Sequence, residues 1–166
     1  MSTLKLEIGE KNKILRTVSK EAANFGAPEL KRLAADMKET LAGIKTGVAL
    51  AAPQVGINLR IFVLSKEFKT PTVYINPKIK NFGKETFVEE GCLSLPGLVG
   101  EVKRFPITRV EAFDENGKKF KLKAEGLLAQ AFQHEVDHLN GVLFIDKAVN
   151  LRKYENERNY EKEQGL

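Results

Sequence analysis

The sequence predicts an α+β fold, in which antiparallel strands lie between an amphipathic helix near the N-terminus and a later helix with a His-Glu-x-x-His motif. Three observations predict this fold. Apolar residues recur at helical spacing after Pro28, and β-branched and aromatic residues dominate the middle of the chain. Asn116-Gly117 also lies between two alternating runs, which is a strong signal for an antiparallel hairpin.

The N-terminal part contains one predicted helix. Residues 11–16 have the composition of an extended or turn-rich arm. Pro28 is suited to the first position of a helix, because the backbone N–H that it lacks is not needed there. The apolar stripe expected to face the core consists of Leu30, Leu33, Ala34, Met37 and Leu41.

Strands are predicted where β-branched and aromatic residues cluster between turn residues. The predicted strands are residues 59–64, 72–75, 84–90, 108–114 and 119–124. The third of them runs directly into Gly91 and Cys92. We therefore expect the Cys92 thiol at the end of a strand, where the backbone can hold it rigidly.

The C-terminal part is predicted to contain the second helix and a charged tail. The helix follows Gly126, and its apolar line consists of Leu128, Phe132, Val136 and Leu139. Leu127 and Ala131 add apolar surface on another side, which predicts a buried helix. Residues 151–166 contain equal numbers of basic and acidic side chains, and they are predicted to form a solvated or frayed helix.

Length and composition indicate a single domain over residues 1–166, since the 42% hydrophobic and 30% charged content is that of a globular protein. A single Cys permits no disulfide within the chain, which favours a reducing compartment. The start of the chain has no apolar run of signal-peptide length, and no run is long enough to span a membrane. The expected location is the cytoplasm, without membrane contact.

The formal net charge of +5 is a mild positive excess. It is compatible with a transient contact to an RNA-rich surface such as a ribosome, and equally with an ordinary solvated surface. The balanced charge of the tail provides no strong attraction of its own, and no contact with DNA is expected.

His134, Glu135 and His138 form the His-Glu-x-x-His motif. Residues four apart lie on one helical face, so both imidazoles can point at one metal ion, with Glu135 beside them to act on a water. A catalytic site of this type needs a third protein ligand. The chain contains only two His and one Cys, which makes Cys92 the natural candidate. The alternative is a pair of histidines packed in an apolar helix without a metal.

Residues 46–56 are mostly small and apolar and include Pro53, Gln54 and Gly56. Such a segment is typical of a tightly packed loop before a strand. It is also what a substrate backbone needs in order to lie close to the protein, with the Gln54 amide pointing into the site. The segment alone does not decide between these interpretations.

Taken together, three motifs resemble those of the peptide deformylase family. Residues 47–54 look like the first motif, residues 90–94 match the second, and residues 133–141 match the third. The resemblance runs from the N-terminal arm to the residues that follow the third motif. One departure is Ala49, where the family usually has Gly. The added methyl is expected to tune activity through substrate fit or backbone preference, because it removes no ligand.

The resemblance implies a metal-dependent hydrolase that removes the formyl group from the formylmethionine of nascent polypeptides. It implies one divalent metal per chain, Fe²⁺ in the cell and Zn²⁺, Ni²⁺ or Co²⁺ in isolated protein, held by Cys92, His134 and His138. Glu135 would be the general base for a metal-bound water. The Gln54 side-chain amide and the Leu93 backbone N–H would stabilise the oxyanion.

The resemblance also implies how the substrate binds. The pocket for the methionine side chain would be formed by Val48, Leu127 and Ala131. Gln130 would make the rim of this pocket more polar. The peptide would lie along Gly47–Ala49 and beside Gly91 as an added strand. Glu90 and Arg104 match family positions near the metal-binding Cys, where they would orient it or balance its charge. A local surface ion pair is the alternative for these two residues.

Two other functions stay open on the sequence. A broader His-Glu-x-x-His metallopeptidase would cleave bonds within peptides and use a His or Glu as its third ligand, but the chain has no third His. A non-catalytic relative that binds RNA or the ribosome would lack a ligand or the base, and here all are present. Family members with one domain are generally monomeric, which is the expectation here.

Overall fold

The first helix forms where Pro28 begins the apolar stripe. In this computed structural model, which describes residues 2–153, α1 spans Pro28–Ala42. The predicted helix and its first residue are confirmed. Leu33 is only partly buried, whereas the other members of the stripe are buried, namely Leu30, Ala34, Met37 and Leu41.

The second helix, α2, spans Gly126–Leu139, as the sequence predicts. Its C-terminal end is held by two donors to the Leu139 carbonyl oxygen, the Ser19 N–H at 2.9 Å and the Arg60 Nη1 at 3.0 Å. These bonds satisfy a carbonyl group that the helix itself leaves without a partner. Within residues 2–153, no helix has the length and apolar character needed to cross a membrane.

The strands form two antiparallel sheets, one with five strands in the order β1-β2-β3-β6-β7 and one with three in the order β4-β5-β8. In each sheet, every pair of neighbouring strands is antiparallel. The strand bounds are Ala49–Ala51 for β1, Ile61–Leu64 for β2, Val73–Phe82 for β3, Thr86–Gly91 for β4, Leu98–Arg104 for β5, Ile107–Phe113 for β6, Lys119–Glu125 for β7 and Val149–Lys153 for β8.

All five predicted strands are present, as β2, β3, β4, β6 and β7, and β3 extends well beyond its predicted end. The sequence does not predict β1, β5 or β8. The three residues of β1 are all buried, so this strand shows no alternation of apolar and polar residues. β8 contains only two apolar residues, Val149 and Leu151, and all five of its residues are exposed, so its sequence signal for a strand is weak.

The predicted C-terminal helix is wrong over residues 151–153. These residues belong to β8, where Arg152 pairs with Val99 and Lys153 with Leu98 of β5. Pairing with a distant strand overrides the local charge spacing that suggested a helix, since local propensity is a weak predictor against tertiary contacts. The rest of the predicted tail, residues 154–166, lies outside the described residues.

The five-stranded sheet lies between the two helices. On one face, Phe132 of α2 packs against Phe62 and Tyr74. The ring centroids of Phe62 and Tyr74 are 4.7 Å apart, and those of Tyr74 and Phe132 are 5.0 Å apart. On the other face, α1 packs on β1 and β2 around Met37 and Ile61. Each aromatic contact adds about 0.5–1.5 kcal/mol to area burial, so the stack fixes α2 above the sheet.

A third apolar cluster connects the three-stranded sheet to the N-terminal arm and to the chain after α2. It consists of Leu15, Cys92, Leu95, Val102, Leu143 and Phe144. The arm is turn-rich, as predicted. The Glu7 N–H donates to the Gln54 carbonyl at 2.8 Å, and the Gly9 N–H donates to the Ser94 carbonyl at 2.9 Å. The arm therefore ties together two segments that belong to different sheets.

Substitution of Gly141 tests how α2 is held. Gly141 has a φ of 72°, and a Cβ there would lie 2.7 Å from the Arg16 carbonyl oxygen. We expect Gly141→Ala to lower the free energy of unfolding by about 3 kcal/mol, because backbone strain and a backbone clash combine.

Gly97→Ala is the matched control, since Gly97 has a φ of 78° but a Cβ there would have no atom within 4 Å. It should lower the free energy of unfolding by only about 1 kcal/mol, through backbone strain alone. Urea unfolding followed by circular dichroism measures both changes. Equal losses in the two variants would contradict the clash with Arg16.

Candidate active site

Two imidazoles and one thiol meet where α2 passes the end of β4. His134 and His138 lie one turn apart on α2, with ring centroids 4.9 Å apart. Cys92 directly follows β4, and its Sγ lies 3.2 Å from Nε2 of His138. One donor atom from each residue lies within 4.8 Å of the others, and no other such group of His, Cys, Asp or Glu occurs in residues 2–153. The structure thus brings together the three ligands expected from the sequence.

Glu90 fixes the orientation of the His134 ring. Its Oε2 lies 2.9 Å from Nδ1 of His134, which leaves Nε2 of that ring on the side of the Cys92 thiol. Metal-binding histidines commonly donate their second ring N–H to a carboxylate, which fixes the tautomer and aims the free nitrogen at the ion. The position of Glu90 therefore suits a metal site.

Arg104 and Asp137 extend this contact into a buried charge network. Arg104 donates to both carboxylate oxygens of Glu90, through Nε at 2.6 Å and Nη2 at 2.9 Å, and to Asp137 through Nη1 at 2.7 Å. The side chains of Arg104 and Glu90 are only 4% and 3% exposed. The alternative of a surface ion pair is therefore wrong, and the pair joins β4, β5 and α2 inside the protein.

The charges around His134 favour a cation. Burial raises the pKa of Glu90, but hydrogen bonds from Arg104 and His134 outweigh burial and lower this pKa to about 2. Burial lowers the pKa of His134, but hydrogen bonds with Cys92 and Glu90 raise it well above its usual value. Burial, and then the charge on His134, hold the pKa of His138 well below its usual value. The negative charge of Glu90 therefore favours a cation in the space between the two imidazole rings and the Cys92 thiol.

Glu135 lies beside the three candidate ligands. Its side chain is 3% exposed, and its Oε2 has no hydrogen-bond partner in residues 2–153. Burial raises the pKa of Glu135 to about 7. Nδ1 of His138 is also buried without a partner in that part of the chain. Buried polar atoms without partners are rare, so Oε2 of Glu135 fits a site built to hold a water beside a cation. Nδ1 of His138 faces away from that site, because Nε2 is the ring nitrogen next to the Cys92 thiol.

Gln54 points its amide nitrogen at the same cluster. It lies in a short 3₁₀ turn, Ala52–Val55, directly after β1. Its Oε1 accepts a hydrogen bond from the Ala51 N–H at 2.9 Å, so the side chain is tied to the backbone. Its Nε2 is therefore directed at Cys92 Sγ, at 3.6 Å, and at Ser94 Oγ, at 3.3 Å. A fixed donor at this point can interact with an oxygen that gains negative charge.

A pocket of about 270 Å³ opens beside Glu135. All seven residues predicted to bind substrate line it, namely Gly47, Val48, Ala49, Gly91, Leu127, Gln130 and Ala131. Cys92, His134, Gln54 and Leu93 also line it. Arg104 does not line the pocket, because it lies behind Glu90. His138 does not line the pocket either.

The pocket lies between two free strand edges. β1 is the edge strand of the five-stranded sheet, and β4 is an edge strand of the three-stranded sheet. Ala49 of β1 and Gly91 of β4 both line the pocket. Unpaired backbone groups on an edge strand can bind an extended peptide, so the site can hold a peptide between the two sheets.

A model of the family described as polypeptide deformylase matches residues 6–154. The chain belongs to the polypeptide deformylase family. It is accordingly an enzyme, and removal of an N-formyl group is the reaction that its family and fold support. The family assigned from three sequence motifs is thus confirmed.

Similar proteins and solved structures support the same family assignment. The peptide deformylase of Pelagibacter ubique is 45% identical over 156 residues, which cover 91% of this chain and 90% of the relative. Peptide deformylase 1 of Bacillus cereus is 46% identical over 145 residues, covering 87% and 90%. The Synechococcus elongatus deformylase in complex with actinonin has a TM-score of 0.82 and 39% identity, covering 98% of this chain and 86% of that one. The Thermotoga maritima deformylase has a TM-score of 0.81 and 36% identity, covering 89% and 98%. The α+β fold is confirmed.

Ala49 departs from the usual deformylase motif, and the structure accommodates it. It lies in β1 opposite Leu64 and is 8% exposed. Its methyl belongs to the apolar cluster that contains Phe62 and Tyr74. Ala49 is not among the residues with positive φ in the described part of the chain, so the backbone here does not require Gly. Gly47 is different, because a Cβ there would lie 2.7 Å from Leu41 Cδ1.

Several residues of the deformylase site were not predicted. Thr46, Glu89 and Val99 also line the pocket, and Asp137 completes the network around Arg104. Val99 lies in β5, a strand without a clear sequence signal, and it reaches the site because it pairs with Gly91. Asp137 lies within the third motif, three residues after His134, which places it on nearly the same side of α2. That spacing is the signal that could have identified it.

The contact between Glu90 and His134 predicts the effect of Glu90→Gln. We expect metal affinity to fall about 10- to 100-fold, because the neutral amide no longer fixes the His134 tautomer or balances the cation. Competition with a chromophoric chelator measures the affinity. Glu89→Gln is the matched control, since Glu89 is an exposed neighbour that pairs with Arg152. A similar loss in both variants would contradict an orienting role for Glu90.

Proposed function

We propose that this enzyme removes the formyl group from the N-terminal formylmethionine of nascent polypeptides, using one divalent metal. The observation that carries the proposal is the position of the unpaired Glu135 Oε2 beside Cys92, His134 and His138, next to the pocket. We place the reaction in the cytoplasm, because a reducing compartment keeps the sulfur of Cys92 from being oxidised.

Cys92, His134 and His138 would hold the metal. Their donor set fits, since a thiolate and two imidazoles are common ligands of zinc and iron-group ions. Oε2 of Glu135, which has no hydrogen-bond partner in residues 2–153, is buried beside them. The metal would supply Lewis acidity to the formyl carbonyl and lower the pKa of a nearby water. We propose Fe²⁺ in the cell, because thiolate donation suits it, with Zn²⁺, Ni²⁺ or Co²⁺ in isolated protein.

Glu135 is the proposed general base. Its carboxylate accepts a proton from the water that adds to the formyl carbon, and it returns that proton to the amine nitrogen when the C–N bond breaks. Burial holds the pKa of Glu135 near 7 in the absence of a metal. The positive charge of a bound metal would lower this pKa and favour the basic form. Formate and a free N-terminal amine are the products.

Gln54 and Leu93 are the proposed oxyanion donors. The carbonyl oxygen gains negative charge when water adds to the formyl carbon, and preorganised donors stabilise that charge. The Gln54 amide is fixed by its bond to the Ala51 N–H. Leu93 lines the pocket, and its N–H has no hydrogen-bond acceptor within residues 2–153. A fixed donor and an unused donor are therefore available for the oxyanion.

The peptide is proposed to bind as an added strand between β1 and β4. Backbone groups of Gly47–Ala49 and Gly91 would pair with it, which suits an enzyme that accepts many sequences. Val48, Leu127 and Ala131 would surround the methionine side chain. Gln130 Nε2 donates to the Glu89 carbonyl at 3.0 Å, so its polar end is satisfied at the pocket rim rather than directed into the pocket.

Glu135→Gln tests the proposed base. We expect formate release to fall about 10²- to 10⁴-fold while one metal per chain is retained, because general acid–base catalysis is lost and the ligands remain. Formate release and metal content are measured on the same sample. Glu39→Gln, on the exposed surface of α1, should retain activity. Full activity of Glu135→Gln would refute the assigned role.

The proposed pocket predicts a preference for methionine. Protein prepared without oxygen and loaded separately with Fe²⁺, Ni²⁺ or Zn²⁺ should release formate from formyl-Met-Ala-Ser roughly 10- to 100-fold faster than from formyl-Gly-Ala-Ser, since burying a methionine side chain contributes about 1.5–3 kcal/mol. The comparison uses kcat/KM for both substrates with each metal. Equal values for the two substrates would exclude a methionine pocket, and no release with any bound metal would exclude the proposed reaction.

A further inference from the structure

One face of the five-stranded sheet is covered by α1 only in part. α1 packs on β1 and β2, whereas the outward Lys and Arg side chains of β6, β7 and the second half of β3 are exposed. A β-bulge between Ile75 and Lys78 separates the two halves of β3. A broad depression of about 620 Å³ lies on the uncovered part, with Lys78, Phe82 and Glu111 at its edges. α2 packs on the opposite face.

Three cations lie directly side by side across this surface. Lys80 of β3 is paired in register with Arg109 of β6, and Arg109 is paired with Lys123 of β7. Neighbouring strands are about 4.8 Å apart, and like charges directly opposite one another destabilise a sheet. We call these three residues the basic row.

Little negative charge lies nearby. Glu111 pairs with Lys119 at 2.7 Å and with Lys121 at 3.2 Å, and Glu125 pairs with Lys123 at 2.6 Å. Within residues 2–153, neither Lys80 nor Arg109 has an ion-pair partner. The outward side chains therefore comprise two carboxylates and six cations, the latter being Lys78, Lys80, Arg109, Lys119, Lys121 and Lys123. This surface therefore carries a surplus of four positive charges, compared with a formal net charge of +5 for the whole chain.

An aromatic ring lies at one end of the basic row. Phe82 is only partly buried, and its ring centroid lies 4.9 Å from Cζ of Arg109 and 5.5 Å from Nζ of Lys80. A guanidinium and an aromatic ring placed together provide flat surfaces on which an unpaired base can stack. The surface thus offers both phosphate-binding charges and a stacking site.

We propose that the basic row and Phe82 bind single-stranded RNA. Charge complementarity selects a polyanion, because phosphates would relieve the repulsion within the row. A sheet surface with a partly exposed ring suits single strands, whereas reading a duplex groove requires a helix or a protruding ribbon. The choice of RNA over DNA rests on the proposed function, since nascent chains appear where RNA is abundant. The row and α2 lie on opposite faces, so RNA and a formylated peptide can bind together.

The test measures fluorescence anisotropy of a labelled oligouridine of about 12 nucleotides with the full-length, metal-loaded enzyme. We expect Kd to rise with about the second power of salt concentration, since each of three phosphate contacts contributes about 0.7. Lys80→Gln, Arg109→Gln and Lys123→Gln combined should weaken binding at least about tenfold at about 50 mM salt. Phe82→Leu should weaken binding about fivefold through lost stacking, with an unchanged salt dependence.

The matched control neutralises three exposed cations elsewhere, Lys11→Gln, Lys31→Gln and Arg32→Gln combined, and should weaken binding less than about threefold. Equal weakening by the two triple variants, or no RNA binding by the wild type, would overturn the proposal. So would tighter binding of duplex DNA, polyglutamate or phosphatidylglycerol vesicles than of RNA. The basic-row variant should melt at a temperature no lower than that of the wild type, because repulsion within the row is removed, and it should keep its formate release. RNA binding by an enzyme that releases no formate would refute the proposed function and leave this surface intact.

Discussion

The buried guanidinium of Arg104 is the contact on which the candidate site depends. It lies at the end of β5, binds both oxygens of Glu90 on β4, and reaches Asp137 on α2. Glu90 in turn holds His134. Replacing a complete buried ion pair by apolar residues is often neutral, but removing one partner costs about 3–5 kcal/mol. The network is therefore best understood as a device that fixes the rotation of α2 relative to the thiol.

The same contact explains how much of the site the sequence could predict. Cys92, His134 and His138 are recognisable because two of them share a helical face and all belong to short motifs. Arg104 could be placed near them only through family resemblance, since β5 has no clear strand signal. Its two partners, and the fact that the network is buried, depend on how β4 pairs with β5 and how α2 packs on both. Such long-range geometry leaves no local pattern.

The same distinction between local and long-range interactions explains which parts of the fold the sequence could predict. Helices α1 and α2 and the hairpin at Asn116-Gly117 are predictable because capping, periodicity and turn chemistry act locally. The short β1 and the exposed β8 are not, because each exists through pairing with a distant partner. The error at residues 151–153 has this cause. Val99, which lines the pocket from β5, was missed for the same reason, because β5 also has no clear strand signal in the sequence.

The basic row could not be predicted from the sequence either, because it also depends on strand pairing. Lys80, Arg109 and Lys123 are separated along the chain, and only the strand register places them in one line. Each like-charged neighbour pair costs a few tenths of a kcal/mol or more, on the order of 0.2–1. The buried face of the same strands compensates, because Val110 and Ala124 pack beneath α2. Uncharged polar residues at these exposed positions would avoid the repulsion between like charges. Such a violation of a local rule is expected at a surface that binds a ligand. The apolar layer under α2 thus supports the candidate metal site on one side and the proposed RNA-binding surface on the other.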